Sequence, residues 1–215
     1  MTNKMCELIN KRFPMAEIDP EEYRTQKIKG MKFETRAFCA EGLGHVSVMR
    51  AEGFFGLMKM DTVIINPLGR DMPLFSYDRV LAAGNDTLIF ELYDTLLGKV
   101  NMSELDQAKA GLQGYDHDLG EHWYDSIKLN VSVSKKGKKA ERSAFDKLAY
   151  DYLDAYLNIC ASAEICDADP KREKASVYVE GLLSNGGPST DIFMKALGRE
   201  KTEGLFRRVL FGTEK

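Results

Sequence analysis

Polar and apolar positions change period twice along the chain. From Met1 to Phe13, Met5, Leu8 and Ile9 recur among polar residues at helical spacing, and Pro14 ends the run. Pro20 opens a second short, charged segment, Glu21 to Lys27. From Met31 the period becomes two: Phe33, Thr35, Ala37 and Cys39 alternate with Lys32, Glu34, Arg36 and Phe38. The turn Glu41-Gly42-Leu43-Gly44 leads into a second alternating run, His45 to Arg50, and Gly53 to Gly56 marks the turn before a third, Leu57 to Asn66. Pro73 to Leu81 and Thr87 to Asp94 read as the fourth and fifth strands. Ile127, Leu129, Val131 and Val133 alternate with polar residues and predict a sixth. Short glycine-bearing turns between the first three strands imply antiparallel neighbours, since parallel ones need long crossovers.

Helical spacing governs the rest. Asn101 to Glu104 supplies caps for a helix reaching about Leu112, and the polar, glycine-punctuated stretch Gln113 to His122 reads as a loop. Phe145, Leu148, Ala149, Tyr152, Tyr156 and Ile159 form one apolar stripe on a long helix. Asp169-Pro170 starts another, ending near Asn185, and a last helical stretch runs from Ser189 or Thr190 to Leu210. On the third strand both faces are apolar, Met58, Met60 and Ile64 against Leu57, Val63 and Ile65, so both sides of the sheet need covering. The pattern predicts a single α/β domain over residues 1–215, a three-layer α/β/α sandwich around a central antiparallel sheet of about six strands.

Composition narrows the function. The 215 residues are 44% hydrophobic and 29% charged, which is ordinary globular usage and excludes a disordered or collagen-like chain. Thirty Lys and Arg against thirty-three Asp and Glu leave a net charge of −3, with no basic surplus for neutralising phosphates, so a nucleic-acid partner is not expected. The four cysteines contain no C-x-x-C pair, and Cys160 and Cys166 have no neighbouring histidine, so a zinc knuckle is not expected. His117 and His122, in HDLGEH, match neither common metalloprotease spacing, and Gly42-Leu43-Gly44 lacks the third glycine of a nucleotide cradle. No apolar run approaches the roughly 20 residues that span a bilayer, and nothing reads as a leader. The expectation is a cytoplasmic chain with reduced thiols and no membrane partner.

One segment carries more. Met60 to Val80 reads MDTVIINPLGRDMPLFSYDRV. With Phe33-Glu34-Thr35-Arg36 before it, and Trp123 to Val133, Ala196-Leu197-Gly198 and Val209-Leu210-Phe211 after it, this order of motifs resembles the ferredoxin-dependent bilin reductases. In that family a strand ends in proline, a second proline is followed by two large apolar residues, and an aspartate stands five residues after that proline. Pro67, Pro73, Leu74, Phe75 and Asp78 occupy those places here. The resemblance implies a flat antiparallel sheet between helix layers and an open-chain tetrapyrrole between the sheet and the C-terminal helices. It implies neither metal nor flavin, a ferredoxin-like donor giving single electrons, and side chains supplying protons.

The same resemblance makes Asp78 the main catalytic candidate. A carboxyl facing an apolar pocket has its charged form disfavoured, so it keeps a proton to give. Aligned back from Pro67, the histidines that some members use fall on Val48 and Thr62. His45, the other catalytic candidate, lies an odd three residues from Val48, which predicts the opposite face and a surface position at a turn end unless a one-residue bulge restores it. Met60, Thr62 and Phe75 are the expected substrate contacts. Lys135 or Lys136 lies about where the family has an arginine for the ligand's propionates, although Lys135, Lys136, Lys138 and Lys139 also read as a solvated turn. The same run, with Arg199, Lys201, Arg207 and Arg208, would offer a basic rim to an acidic ferredoxin. The family's second aspartate should fall near Gly187-Pro188 and is glycine here. The reading is therefore a bilin reductase, with a non-catalytic tetrapyrrole carrier or sensor on the same scaffold as the alternative.

Overall fold

The alternating segments pair into one sheet. The computed structural model describes residues 1–214, and among them every strand pairing is antiparallel. The strands are β1 (Met15–Ile18), β2 (Thr25–Ile28), β3 (Met31–Ala40), β4 (Gly44–Gly53), β5 (Met58–Asn66), β6 (Leu74–Ala82), β7 (Asn85–Tyr93) and β8 (Val133–Lys138). Their order is β1-β3-β4-β5-β6-β7-β8, with β2 beside the first half of β3 and β1 beside its second half. Short turns follow β3, β4 and β6, which favours antiparallel neighbours, whereas the loop 67–73 joins β5 to β6 and the long stretch 94–132 leads from β7 to β8.

Both sheet faces are covered, as the two-sided hydrophobicity requires. On one face lie α1 (Thr2–Arg12), α2 (Ser103–Ala110) and α3 (Arg142–Ser162), whose Met5, Leu105 and Tyr152 pack with Val48, Val63, Phe75 and Phe90. On the other lie α4 (Ala168–Asn185), α5 (Pro188–Leu197) and α6 (Arg199–Gly204), the last running on through a wider π turn, Leu205–Leu210. There Tyr178, Phe193 and Leu205 pack with Phe33, Met49, Ile64 and Tyr93. The chain is a three-layer α/β/α sandwich.

Three elements differ from the sequence pattern. The sheet has eight strands rather than about six, because β1 and β2 are four-residue edge pieces too short to show a period. The expected sixth strand is displaced: Asp125–Ile127 is a 3-10 turn, the Ser132 amide closes a turn on the Leu129 carbonyl, and pairing with β7 resumes only at Val133. The lysine run is therefore mostly strand, and its outer edge is paired by the loop at Tyr115, Asp116 and His117. The last helical stretch is broken at Gly198, whose φ of 79° suits glycine and starts α6 in a new direction.

The end of the chain is fastened to the sheet by side chains from β4 and β5. His45 Nε2 donates to the Val209 carbonyl at 2.8 Å, Ser47 Oγ to Leu210 at 2.7 Å, and Asn66 Nδ2 to Phe211 at 2.7 Å. Three successive carbonyls at a helix end, which have no partner within the helix, are thereby satisfied. Gly212 makes this approach possible: a Cβ there would lie 2.4 Å from the His45 ring.

Candidate functional site

Strand register assembles the site before any helix is considered. Met49 on β4 pairs with Thr62 on β5, Thr62 with Asp78 on β6, Asp78 with Ile89 on β7, and Ile89 with Ser134 on β8. This rung faces the C-terminal helices. Above it opens a cavity of about 330 Å³, at the small end of the range for small-molecule sites. Its floor is Met60, Thr62, Asp78 and Glu91 with their neighbours. Its roof comes from Tyr178 and Leu182 of α4 and from Phe206, Leu210 and Phe211, the residues held down by His45, Ser47 and Asn66. Leu119, His122 and Tyr124, from the long loop before β8, form a third wall, and Gly187, Ser189 and Thr190 at the start of α5 complete it.

Asp78 is the central polar group. Thr62 Oγ1 donates a hydrogen bond to its Oδ1. What surface the carboxyl retains faces the cavity, and protein mass on all other sides strips it of water. Burial pushes the carboxyl from 3.8 up to about 6, opposed by the Thr62 hydroxyl and assisted by the charge of Glu91. At pH 7 about one molecule in ten then carries the proton. The expectation is a carboxyl holding its proton at neutrality; the protein by itself raises the pKa but leaves most of the carboxyl ionised at pH 7.

Around Asp78 the walls are aromatic. Tyr93 stacks on Tyr178 with ring centroids 4.1 Å apart, and His122 stacks on Tyr124 at 4.9 Å and an interplanar angle of 11°. Burial holds the Tyr93, Tyr124 and Tyr178 hydroxyls protonated, well above the usual phenol range. Two polar atoms remain buried without a hydrogen bond, His122 Nδ1 and Glu91 Oε1. Among the described residues no cluster of His, Cys, Asp and Glu could hold a metal ion, and no helix is long and apolar enough to cross a membrane.

Of the residues singled out from the sequence, Asp78, Thr62 and Met60 meet in this cavity. The other four do not. His45 is not a surface residue on the far face: it is 6% exposed and shares the face of Asp78, since it pairs with Asn66 on the same side as Thr62. It stands four residues from Met49, about 13 Å along the strand, where it fastens the chain end and borders a separate cleft of about 570 Å³ with Arg172 and Arg208. The residue beside Thr62 is Met49, one place from Val48, which packs against the other layer. Phe75 is fully buried in that other layer against Tyr156 and Phe90, as its odd spacing from Asp78 dictates. Lys135 also points to that side, its Nζ donating to the Gly114 carbonyl and Asp116 at 2.7 Å each. Lys136 is exposed on the edge strand and does not line the cavity.

Glu91 and His122 bring further polar groups to the cavity. Glu91 lies two residues from Ile89 on β7, so period-two counting places it beside Asp78 once the register is known. His122 comes from a loop, and no periodic signal announces where a loop returns to the sheet. No protein-family model matches the chain, and no curated protein matches it in sequence. Among solved structures, phytochromobilin synthase from tomato in complex with biliverdin superposes with a TM-score of 0.73 over 99% of this chain and 82% of that one, at 14% identity. The two proteins share a fold. At that identity the likeness fixes the arrangement of sheet and helices, and the chemistry rests on the residues present here.

Proposed function

We propose that the chain reduces a linear tetrapyrrole, or a similarly conjugated substrate, taking single electrons from a ferredoxin-like donor and protons through Asp78. The observation that carries this reading is a carboxyl raised to about 6 by burial, at the centre of an aromatic-walled cavity between the sheet and the C-terminal helices. The shared fold with a structure that holds biliverdin supports it. Each two-electron reduction takes up two protons. In the protonated state Asp78 gives its proton to a ligand nitrogen or carbonyl oxygen as an electron arrives, and is left as a carboxylate hydrogen-bonded by Thr62. Tyr93, Tyr124 and Tyr178 hold the conjugated plane by stacking and exclude water. With Lys135 and Lys136 elsewhere, the groups at the cavity that suit a ligand's carboxylates are the hydroxyls and free N–H groups of Ser189 and Thr190 at the start of α5.

A second reading, a carrier or sensor without turnover, draws on the same site. Asp78 is mostly ionised at pH 7 when the cavity is empty, and glycine stands at 187 where a second acid would supply the other proton. The test uses Trp123, the one tryptophan, whose ring lies 5.3 Å from Tyr124 and 5.9 Å from Tyr178. Micromolar biliverdin should quench its emission and shift the pigment's own absorbance; a titration with neither change refutes the tetrapyrrole reading. Anaerobic mixing with reduced ferredoxin then separates the two proposals, since a reductase bleaches or shifts the bound pigment and a carrier leaves it unchanged. Asp78→Asn should keep binding and lower the rate by about a hundredfold or more.

A further inference from the structure

Glu91 faces the cavity with an acceptor to spare. Its residue surface is 9% exposed; Oε2 accepts the Tyr93 hydroxyl at 2.6 Å, while Oε1 is buried without a hydrogen bond. The nearest cation, Lys128 Nζ, stands 3.7 Å from Oε1 and is bonded to Asp125. Glu91 also belongs to a second pocket. With Leu119 it forms the wall between the inner cavity and an outer one of about 210 Å³ that includes His117, Lys128 and Ser134. In that outer pocket Ser134 Oγ is likewise buried with no partner. Ser134 pairs with Ile89, two residues from Glu91 on the same side of β7. Two unsatisfied buried oxygens on adjoining strands, beside a pocket wide enough for water, are the usual setting of an ordered water molecule.

We propose that a water held between Glu91 Oε1 and Ser134 Oγ joins the two cavities, and that Glu91 relays protons through it to Asp78. The relay rests on the reading of Asp78 as the proton donor, and it answers a problem that reading creates. A planar ligand over the sheet closes the side from which Asp78 meets solvent, so the second proton has to enter through a wall. Asp78 and Glu91 are diagonal neighbours on β6 and β7, about 7 Å apart at Cβ, a gap that one water closes. A proton from an acid or hydronium in the outer pocket passes to the water, to Glu91 and on to the Asp78 carboxylate; only O–H bonds break and form, and no electrons move. The groups facing Glu91 are Asp78 from β6, Tyr93 from its own strand, Tyr178 from α4, and His117, Asp118, His122, Tyr124 and Lys128 from the loop before β8.

Crystallography of the ligand-free protein tests the water alone. Density within hydrogen-bond distance of both oxygens is expected in the wild type and its loss in Ser134→Ala; a dry wild-type site overturns the relay whatever the cavity binds. Kinetics test the proton path. Glu91→Gln should bind biliverdin as the wild type does, with KM unchanged and kcat at least tenfold lower, and its rate at fixed pH and ionic strength should rise with added imidazole, a small acid able to replace the relay. A lowered rate indifferent to imidazole would assign Glu91 a structural role and refute the proposal. Wild-type protein that fails to bind the pigment refutes the tetrapyrrole reading and the relay built on it, whereas a dry site in protein that does bind the pigment refutes the relay alone.

Discussion

Replacing Asp78 by asparagine should stabilise the protein at neutral pH and leave it nearly unchanged in acid. Asparagine keeps the size of the side chain and an oxygen to accept the Thr62 hydroxyl, so packing is conserved. What changes is the cost of holding a charge in the cavity. In the unfolded chain the carboxyl ionises near 3.8, and in the folded one near 6. The folded state therefore binds more protons across that interval, and the Asp78 contribution to stability, full below 3.8, is lost as pH rises through 6. At about 1.4 kcal/mol per pH unit the whole loss is about 3 kcal/mol, with about 2 kcal/mol of it falling between pH 4 and pH 7. That is a large fraction of the 5–15 kcal/mol typical of a folded domain. Urea unfolding followed by Trp123 emission, run on both proteins at several pH values, gives the difference directly. The two stability curves should converge near pH 4 and separate steadily towards pH 7, with the variant on top. Parallel curves would mean that Asp78 titrates as it does in water, and the argument from a desolvated acid would fail with it.

The remaining predictions concern how the cavity is held. His45→Ala leaves the buried Val209 carbonyl without its donor and should cost about 1–3 kcal/mol, seen as a lower urea midpoint. Burial lowers the His45 pKa from its ordinary 6.5, so its contribution is present above that value and lost as pH falls; the gap between wild type and His45→Ala should narrow below pH 6, and a constant gap would contradict this. Lys171, fully buried on α4, donates at 2.6 Å to the carbonyls of both Met72 and Thr95 and stands 3.5 Å from Asp71. Lys171→Met should destabilise by about 3 kcal/mol or more by leaving those groups unpaired in the interior, and an unchanged midpoint would show that water reaches them.

Much of this molecule is local information. Period-two runs between short glycine turns are enough to specify an antiparallel meander, and apolar residues on both strand faces are enough to demand two helical layers. Asp78 could be singled out because it sits in a stretch with an order of prolines and large apolar residues that survives without any partner. The place of Phe75 is local information too, since its odd spacing from Asp78 assigns it to the other face. The four-residue strands β1 and β2 escaped because edge pieces exposed over most of their length have no pattern to show.

What the chain could not disclose by itself is how independent strands and loops come into register. Alternation states that His45 and Met49 share a face, yet only the pairing of β4 with β5 decides that Met49 lies beside Thr62 and that His45 reaches the chain end. Nothing near Lys135 says that its ammonium will be drawn to Gly114 and Asp116 on the opposite side from its neighbour Lys136. Glu91 and His122 come together around Asp78 from a different strand and from a returning loop. Hydrophobic periodicity is set by each residue and its nearest neighbours in sequence, whereas the desolvation that makes Asp78 an acid is produced by everything packed around it. That crowding exists only once the sheet and the C-terminal helices have closed on one another.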